Sequence, residues 1–187
     1  MTEETSYIQV IEKPFKGLKL ILNDDTFVMA SIATSSLILK TKRFSWERGI
    51  CPISPRELFW VIMDEHDPKS VATKILKGFD TLLAQIIIYH RVSCESENKV
   101  SIDEIKFTPD LCALILRAKE EAKREKRDFI WTHHLLLAFF ISGEKTTPFI
   151  WTPNHILRQA LCLTPSMVKK LSNKFFEDFS EKEELKS

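Results

Sequence analysis

Four times in this chain a serine or threonine is followed by proline just ahead of an apolar run with helical spacing. No other feature narrows the fold so far. The pairs are Ser54-Pro55, Thr108-Pro109, Thr152-Pro153 and Thr164-Pro165. A hydroxyl at the N-cap satisfies a backbone N–H that the helix leaves open, and proline at the first helical position gives up an N–H that had no partner anyway. The signal after Thr108 is the clearest. Asp110 suits the positive end of the helix dipole, and Leu111, Leu114, Ile115, Ala118 and Ala122 line one face. Arg117, Lys119, Glu120, Lys123 and Arg124 occupy the other. Glu57, three residues after Ser54, completes a capping box. Thr152-Pro153 precedes Ile156, Leu157, Ala160 and Leu161, and Thr164-Pro165 precedes Met167, Val168, Leu171 and Phe175.

Thr132 is expected to cap a further helix, in which Leu135 to Ile141 is apolar all round and therefore central to the core. Phe27 to Leu39 and Val71 to Leu76 read as helices. Leu82 to Tyr89 reads as a helix, with a strand as the alternative because Ile86, Ile87 and Ile88 are β-branched. Glycine, on which hairpin turns and phosphate-binding loops draw, occurs only four times. The expected fold class is all-α.

The two halves repeat one order: a long amphipathic helix, a basic and aromatic loop, a capped apolar helix, a polar loop, then two short helices. That self-similarity points to a duplicated four-helix unit and a bundle of about eight helices. The divisions expected are an N-terminal extension at 1–22, a first repeat at 23–92, a linker at 93–100, a second repeat at 101–176 and a charged, fraying tail at 177–187. Pro14 and Gly17 interrupt any long helix between Tyr7 and Leu22, so that stretch is read as an extension packed on the first repeat.

With 44% hydrophobic and 28% charged residues, 187 residues suit one folded domain. A net charge of +1 supplies no general field toward nucleic acid or anionic lipid, and no apolar run is long enough to cross a bilayer. Cys51, Cys94, Cys112 and Cys162 are scattered, which favours free thiols in a reducing, cytoplasmic setting. Glu3, Glu4 and Glu12 argue against an organellar transit peptide in the chain as it stands; removal of one would open the plastid stroma.

Little in the chain asks to be catalytic, and no cofactor or metal is expected. His133 and His134 are adjacent, so a helix points them about 100° apart, and spacing alone offers no third ligand. The run from Lys123 to Arg127 is diluted by glutamates and sits where a helix end welcomes cations. Asn154 to Phe175 has the outline of a helix-turn-helix, a shape common in any all-α core. Phe44 and Trp46 lie beside Lys42, Arg43 and Arg48, and Phe149 and Trp151 hold the matching loop. These aromatics are read as core, with an interface hot spot as the alternative.

Phe107-Thr108-Pro109-Asp110, Ala118-Lys119-Glu120-Glu121-Ala122 and Phe129-Ile130-Trp131-Thr132-His133-His134-Leu135 together resemble the double-repeat N-terminal domain of Clp protein unfoldases. Val71 to Asp80 and Ser54-Pro55-Arg56-Glu57-Leu58 are similar to the same pattern in the first half. The resemblance covers roughly 24–176 and implies two pseudo-symmetric repeats. It also implies a protein-interaction role as accessory, adaptor or substrate-docking domain for an unfoldase, its protease or an adaptor. No Gly-x-x-x-x-Gly-Lys-[Ser/Thr] loop is present, so energy-driven steps fall to a partner. Some relatives hold phosphoarginine through the acidic residue of a Thr-Glu-His motif; the positions read as equivalent here are Pro55 and His133. The partner-facing candidates are Arg56, Glu57, Thr132, His133 and His134, with Phe44, Trp46 and Trp151 as apolar anchors. The alternatives are a regulator that uses this fold for a partner outside the Clp system, and a nucleic-acid-binding regulator.

Overall fold

The computed structural model describes residues 17–22, 26–64, 70–79, 102, 105–141 and 153–184. The helices are α1 (Ile32–Glu47), α2 (Pro55–Asp64), α3 (Val71–Leu76), α4 (Pro109–Arg124), α5 (Thr132–Ile141), α6 (Pro153–His155) and α7 (Pro165–Glu184). A 3₁₀ turn, Lys77–Phe79, follows α3, and α6 runs on into a π turn at Ile156–Ala160. Helix α7 continues to Glu184, past the point where the sequence turns charged. The expected Leu82 to Tyr89 element, the linker at 93–100, Thr152, Phe149 and Trp151 lie outside the described residues.

The fold is mainly helical but not all-α. Two strands, β1 (Gly17–Ile21) and β2 (Phe27–Ser31), pair antiparallel with Gly17 opposite Ser31 and Ile21 opposite Phe27. The helix expected from Phe27 therefore loses its first five residues to β2. Ser31 explains the boundary: its backbone is extended (φ −64°, ψ 159°) while its hydroxyl accepts from the Thr34 N–H, so it is the N-cap and the helix starts at Ile32. Upstream, Phe27 is exposed, Val28 and Ala30 are buried and Met29 is half-buried, the period-two alternation of a strand.

A register of 77 residues relates the described parts of the two halves. Helices α1 and α4 each hold 16 residues and begin at 32 and 109; α2 and α5 each hold 10 and begin at 55 and 132. Their caps keep the same register, Ser31 with Thr108 at the start, each accepting the N–H three residues on. At the C-termini, Ile50 N–H donates to Ser45 O and Gly49 N–H to Trp46 O. Arg127 N–H likewise donates to Ala122 O, and Lys126 N–H to Lys123 O. Both are Schellman ends, and Gly49 and Lys126 both adopt the left-handed region (φ 65° and 56°). The halves are also bound to each other reciprocally. Ala30 bridges Ile130, and Ile53 bridges Phe107, through N–H···O bonds of 2.8–2.9 Å.

Helix α5 is the centre. Thr132 through Phe140 are all buried, and α3, α4, α6 and α7 pack around it. Phe139 meets Phe59 of α2 edge-on, with ring centroids 5.3 Å apart. Glu121, enclosed on α4, is bound by Arg124 on its own helix and by Lys169 of α7 at 3.2 Å, which ties α7 to the core.

Thr132 departs from its expected task. It is the first residue of α5 rather than the residue before it, and it caps a different helix. Its Oγ1 accepts from the Ala72 N–H of α3 at 3.0 Å and lies 3.3 Å from Ser70 Oγ. Ser70 caps Thr73 N–H in turn. Thr132→Val keeps the shape but strands a buried N–H, and is expected to cost about 1–3 kcal/mol in urea denaturation. A change below a few tenths would show that another group satisfies Ala72.

Candidate functional site

The densest polar cluster among the described residues forms where α4 ends and α5 begins. Glu125 is the C-cap of α4, and its Oε2 lies 3.1 Å from His133 Nε2 and 3.0 Å from His134 Nε2. Both histidines are fully enclosed, with 0% exposure, and their ring centroids stand 4.0 Å apart. Phe176 of α7 covers them: its ring meets His133 at 5.7 Å and Trp131 at 5.0 Å, and the Arg127 guanidinium lies 4.0 Å over it. Spacing along the chain offers His133 and His134 no third group. The fold supplies Glu125, the one acid inside the basic run Lys123 to Arg127.

The three donor atoms lie within 4.8 Å of one another, close enough for one metal ion. The proton positions decide against it. His134 Nδ1 accepts the Trp131 backbone N–H at 2.9 Å, so a neutral His134 carries its proton on Nε2 and points it at Glu125. A metal at Nε2 needs a lone pair there. The cluster is instead a carboxylate held between two imidazole N–H donors. His133 Nδ1 has no hydrogen-bond partner in its buried position, consistent with a proton on Nε2 as well.

Burial depresses His133 from its ordinary 6.5 to about 4, partly offset by its bond to Glu125. Burial alone would raise the Glu125 carboxyl, but hydrogen bonds from His133 and His134 overcome it and hold the group well below the usual carboxylate range.

The capping box at the matching position of the first half follows the same plan. Ser54 N–H donates to Glu57 Oε2 at 2.8 Å, Ser54 Oγ donates to the same oxygen at 2.6 Å, and Arg56 N–H donates to Ser54 Oγ at 3.2 Å. Glu57 and His134 are 77 apart, as are Ser54 and Trp131, so a carboxylate and an imidazole do one job in the two halves. That register sets Pro55 against Thr132 and Arg56 against His133. It corrects the one-residue-earlier alignment in which Pro55 faced His133.

The anticipated partner-facing residues therefore separate. Thr132, His133 and His134 are enclosed and serve the interior, and Glu57 is spent on its cap. Arg56 is exposed. Phe44 packs partly against the core with the Arg48 guanidinium 4.3 Å over its ring. Trp46 is 47% exposed, in a row with Ile32 and Leu39 along α1. Elsewhere, a cavity of about 230 Å³ between β2 and α4 is lined by Phe27, Met29, Lys119, Lys123, Arg127 and Asp128, among others.

Residues 52–154, more than half of the chain, match the family of the Clp repeat (R) N-terminal domain. The chain belongs to this family. Among solved structures it is similar to the ClpV N-domain in complex with a VipB peptide, with a TM-score of 0.55 and 16% identity, over 75% of this chain and 82% of that one. It is also similar to the N-terminal domain of the chaperone ClpD from Arabidopsis thaliana, with a TM-score of 0.52 and 10% identity, over 79% and 94%. At these identities the likeness shows the fold. A search of curated protein sequences finds no match.

The cluster makes stability pH-dependent. A histidine depressed on folding binds its proton more readily once unfolded, so acidification from about pH 6.5 to about 4 favours the unfolded chain. Glu125, ionised in the fold, adds to that loss as pH falls below its ordinary 4.5. Unfolding free energy is expected to drop by about 2–3 kcal/mol between pH 7 and pH 4. Urea titrations across that range would measure it, and a flat profile would rule out the buried neutral imidazole.

Proposed function

We propose that this Clp N-terminal domain protein is a non-catalytic protein-interaction module that serves a Clp-type unfolding or proteolytic machine as accessory, adaptor or substrate-docking domain. The observation that carries this reading is the match of residues 52–154 to the Clp repeat N-terminal domain, and Trp46, 47% exposed on α1 beside Ile32 and Leu39, is in keeping with it. Tryptophan is enriched among residues that dominate protein interfaces because it buries much area for little lost entropy. The ClpV N-domain, of like fold, has been solved with a peptide of VipB, which is in keeping with a binding role.

We extend the 77-residue register to two four-helix repeats spanning the chain. Its support is the match of α1 with α4 and of α2 with α5. Phosphoarginine recognition is not part of the proposal. The positions in register at the starts of α2 and α5 are Arg56 and His133, neither of which offers a carboxylate to a guanidinium. A reducing compartment such as the cytoplasm fits the free thiols at Cys51, Cys112 and Cys162.

The test is an affinity capture from the native host's lysate with the tagged full chain, read by mass spectrometry. Recovery of an unfoldase ring, its protease or an adaptor above a bait-free control is the expected outcome. Recovery of unrelated proteins alone would remove the Clp assignment while leaving the fold untouched.

A further inference from the structure

Ile32, Leu39 and Trp46 are seven residues apart on α1, which returns each to within about 20° of the last and sets them in a line about 21 Å long. All three are well exposed, at 55%, 46% and 47%. Between them on the same face lie Ser36, small and half-buried, and Arg43, exposed and paired with Glu47 at 3.0 Å. The apolar residues recur every seven, at one of the two positions per heptad that a helix presents to another, with Ser36 and Arg43 at the second.

The 77-residue register provides an internal control on whether the fold needs this row. The α4 residues in register with Ile32, Leu39 and Trp46 are Pro109, Leu116 and Lys123. Leu116 is a leucine exposed like Leu39, at 38%, so the halves differ most at the last position, where Lys123 is 60% exposed and pairs with Glu120. The scaffold thus accepts a solvated lysine where α1 carries an exposed tryptophan, and packing does not explain the tryptophan. Charge sets the two helices apart as well. Helix α4 mixes Asp110, Glu120 and Glu121 with its cations, whereas α1 carries Lys40, Lys42 and Arg43 against Glu47 alone.

We infer that this face of α1 is a docking surface for an amphipathic helix of a partner protein, about four turns long, with an apolar stripe flanked by acidic residues. The inference deepens the interaction-module reading and rests on it for the protein partner, but it specifies the surface and the chemistry. The stripe lies along Ile32, Leu39 and Trp46, Ser36 allows close approach, and the partner's carboxylates meet the cationic flank.

The probe is a synthetic 18-residue helical peptide with leucines at three- and four-residue spacing and glutamate flanks, titrated into the ¹⁵N-labelled full chain. Controls are the same peptide with lysine flanks and one with the leucines replaced by serine. Expected are amide and indole shift changes centred on α1, weaker binding as salt rises, and no binding of either control. Trp46→Lys, which copies the residue the fold already holds at 123, is expected to weaken binding at least tenfold without loss of stability. Shift changes centred elsewhere, equal binding of the lysine peptide, or full affinity in Trp46→Lys would overturn the inference. A dimer of the free chain that Trp46→Lys abolishes would overturn it too, in favour of a second copy as occupant. Capture of a Clp subunit equally by wild type and Trp46→Lys would refute this surface and leave the proposed function standing. Peptide binding at α1 without any Clp subunit in the capture would do the reverse.

Discussion

The arrangement depends on two short backbone bridges that each half extends to the other. Ile130 donates to Met29 O and accepts from Ser31 N–H; Ile53 donates to Lys106 O and accepts from Thr108 N–H. Four hydrogen bonds contribute only about 1 kcal/mol each, so their importance is geometric. The bridging residues, Ala30 and Phe107, immediately precede the N-caps Ser31 and Thr108. Ile53 and Ile130 each stand two residues before the first residue of α2 or α5. Each bridge therefore sets where a long helix starts on one half against where an apolar helix starts on the other. The small sheet is a consequence. A cap residue must be extended, extended backbone has two edges, and β2 gives one edge to Ile130 and the other to β1.

What was legible in the sequence was local. Thr108, Ser54 and Thr164 could be read as caps because a hydroxyl, a proline and an apolar period within four residues determine that geometry by themselves. The all-apolar stretch of α5 announced its burial in the same way. The strand at Phe27 was not legible, because five residues of mixed size satisfy either period and only pairing with β1 and Ile130 selects one. Thr132 misled for a related reason. Its hydroxyl looks like a cap for its own helix, and nothing in the sequence tells that Ala72, 60 residues away, supplies the N–H it takes.

The candidate site shows the same division. His133 and His134 stood out as a pair, but Glu125 was hidden in a basic run that reads as a solvated helix end. Only the turn through Lys126, in the left-handed region, brings that carboxylate back over the start of α5. The two halves also perform equal tasks with unequal chemistry. Gly49 and Lys126 close the long helices, and Glu57 and His134 accept the N–H three residues before them. A motif search looks for residue types, whereas the matching backbone of the two halves keeps positions and lets the types change.

That freedom makes the differences between the halves informative. Where register partners are both buried, as Ala30 and Phe107 are, unequal size reflects how the core is shared between the halves. Where they are both exposed, packing exerts little hold, and what remains is solubility, which favours charge. Lys123 follows that rule and Trp46 breaks it. Leu39 and Leu116 are both exposed leucines, so the contrast rests on Trp46, which adds apolar surface to the more cationic of the two long helices where α4 carries a lysine. The contact proposed outside the chain would supply the missing reason, and the helical spacing of the row together with its positive flank describes the shape and charge of the partner it calls for.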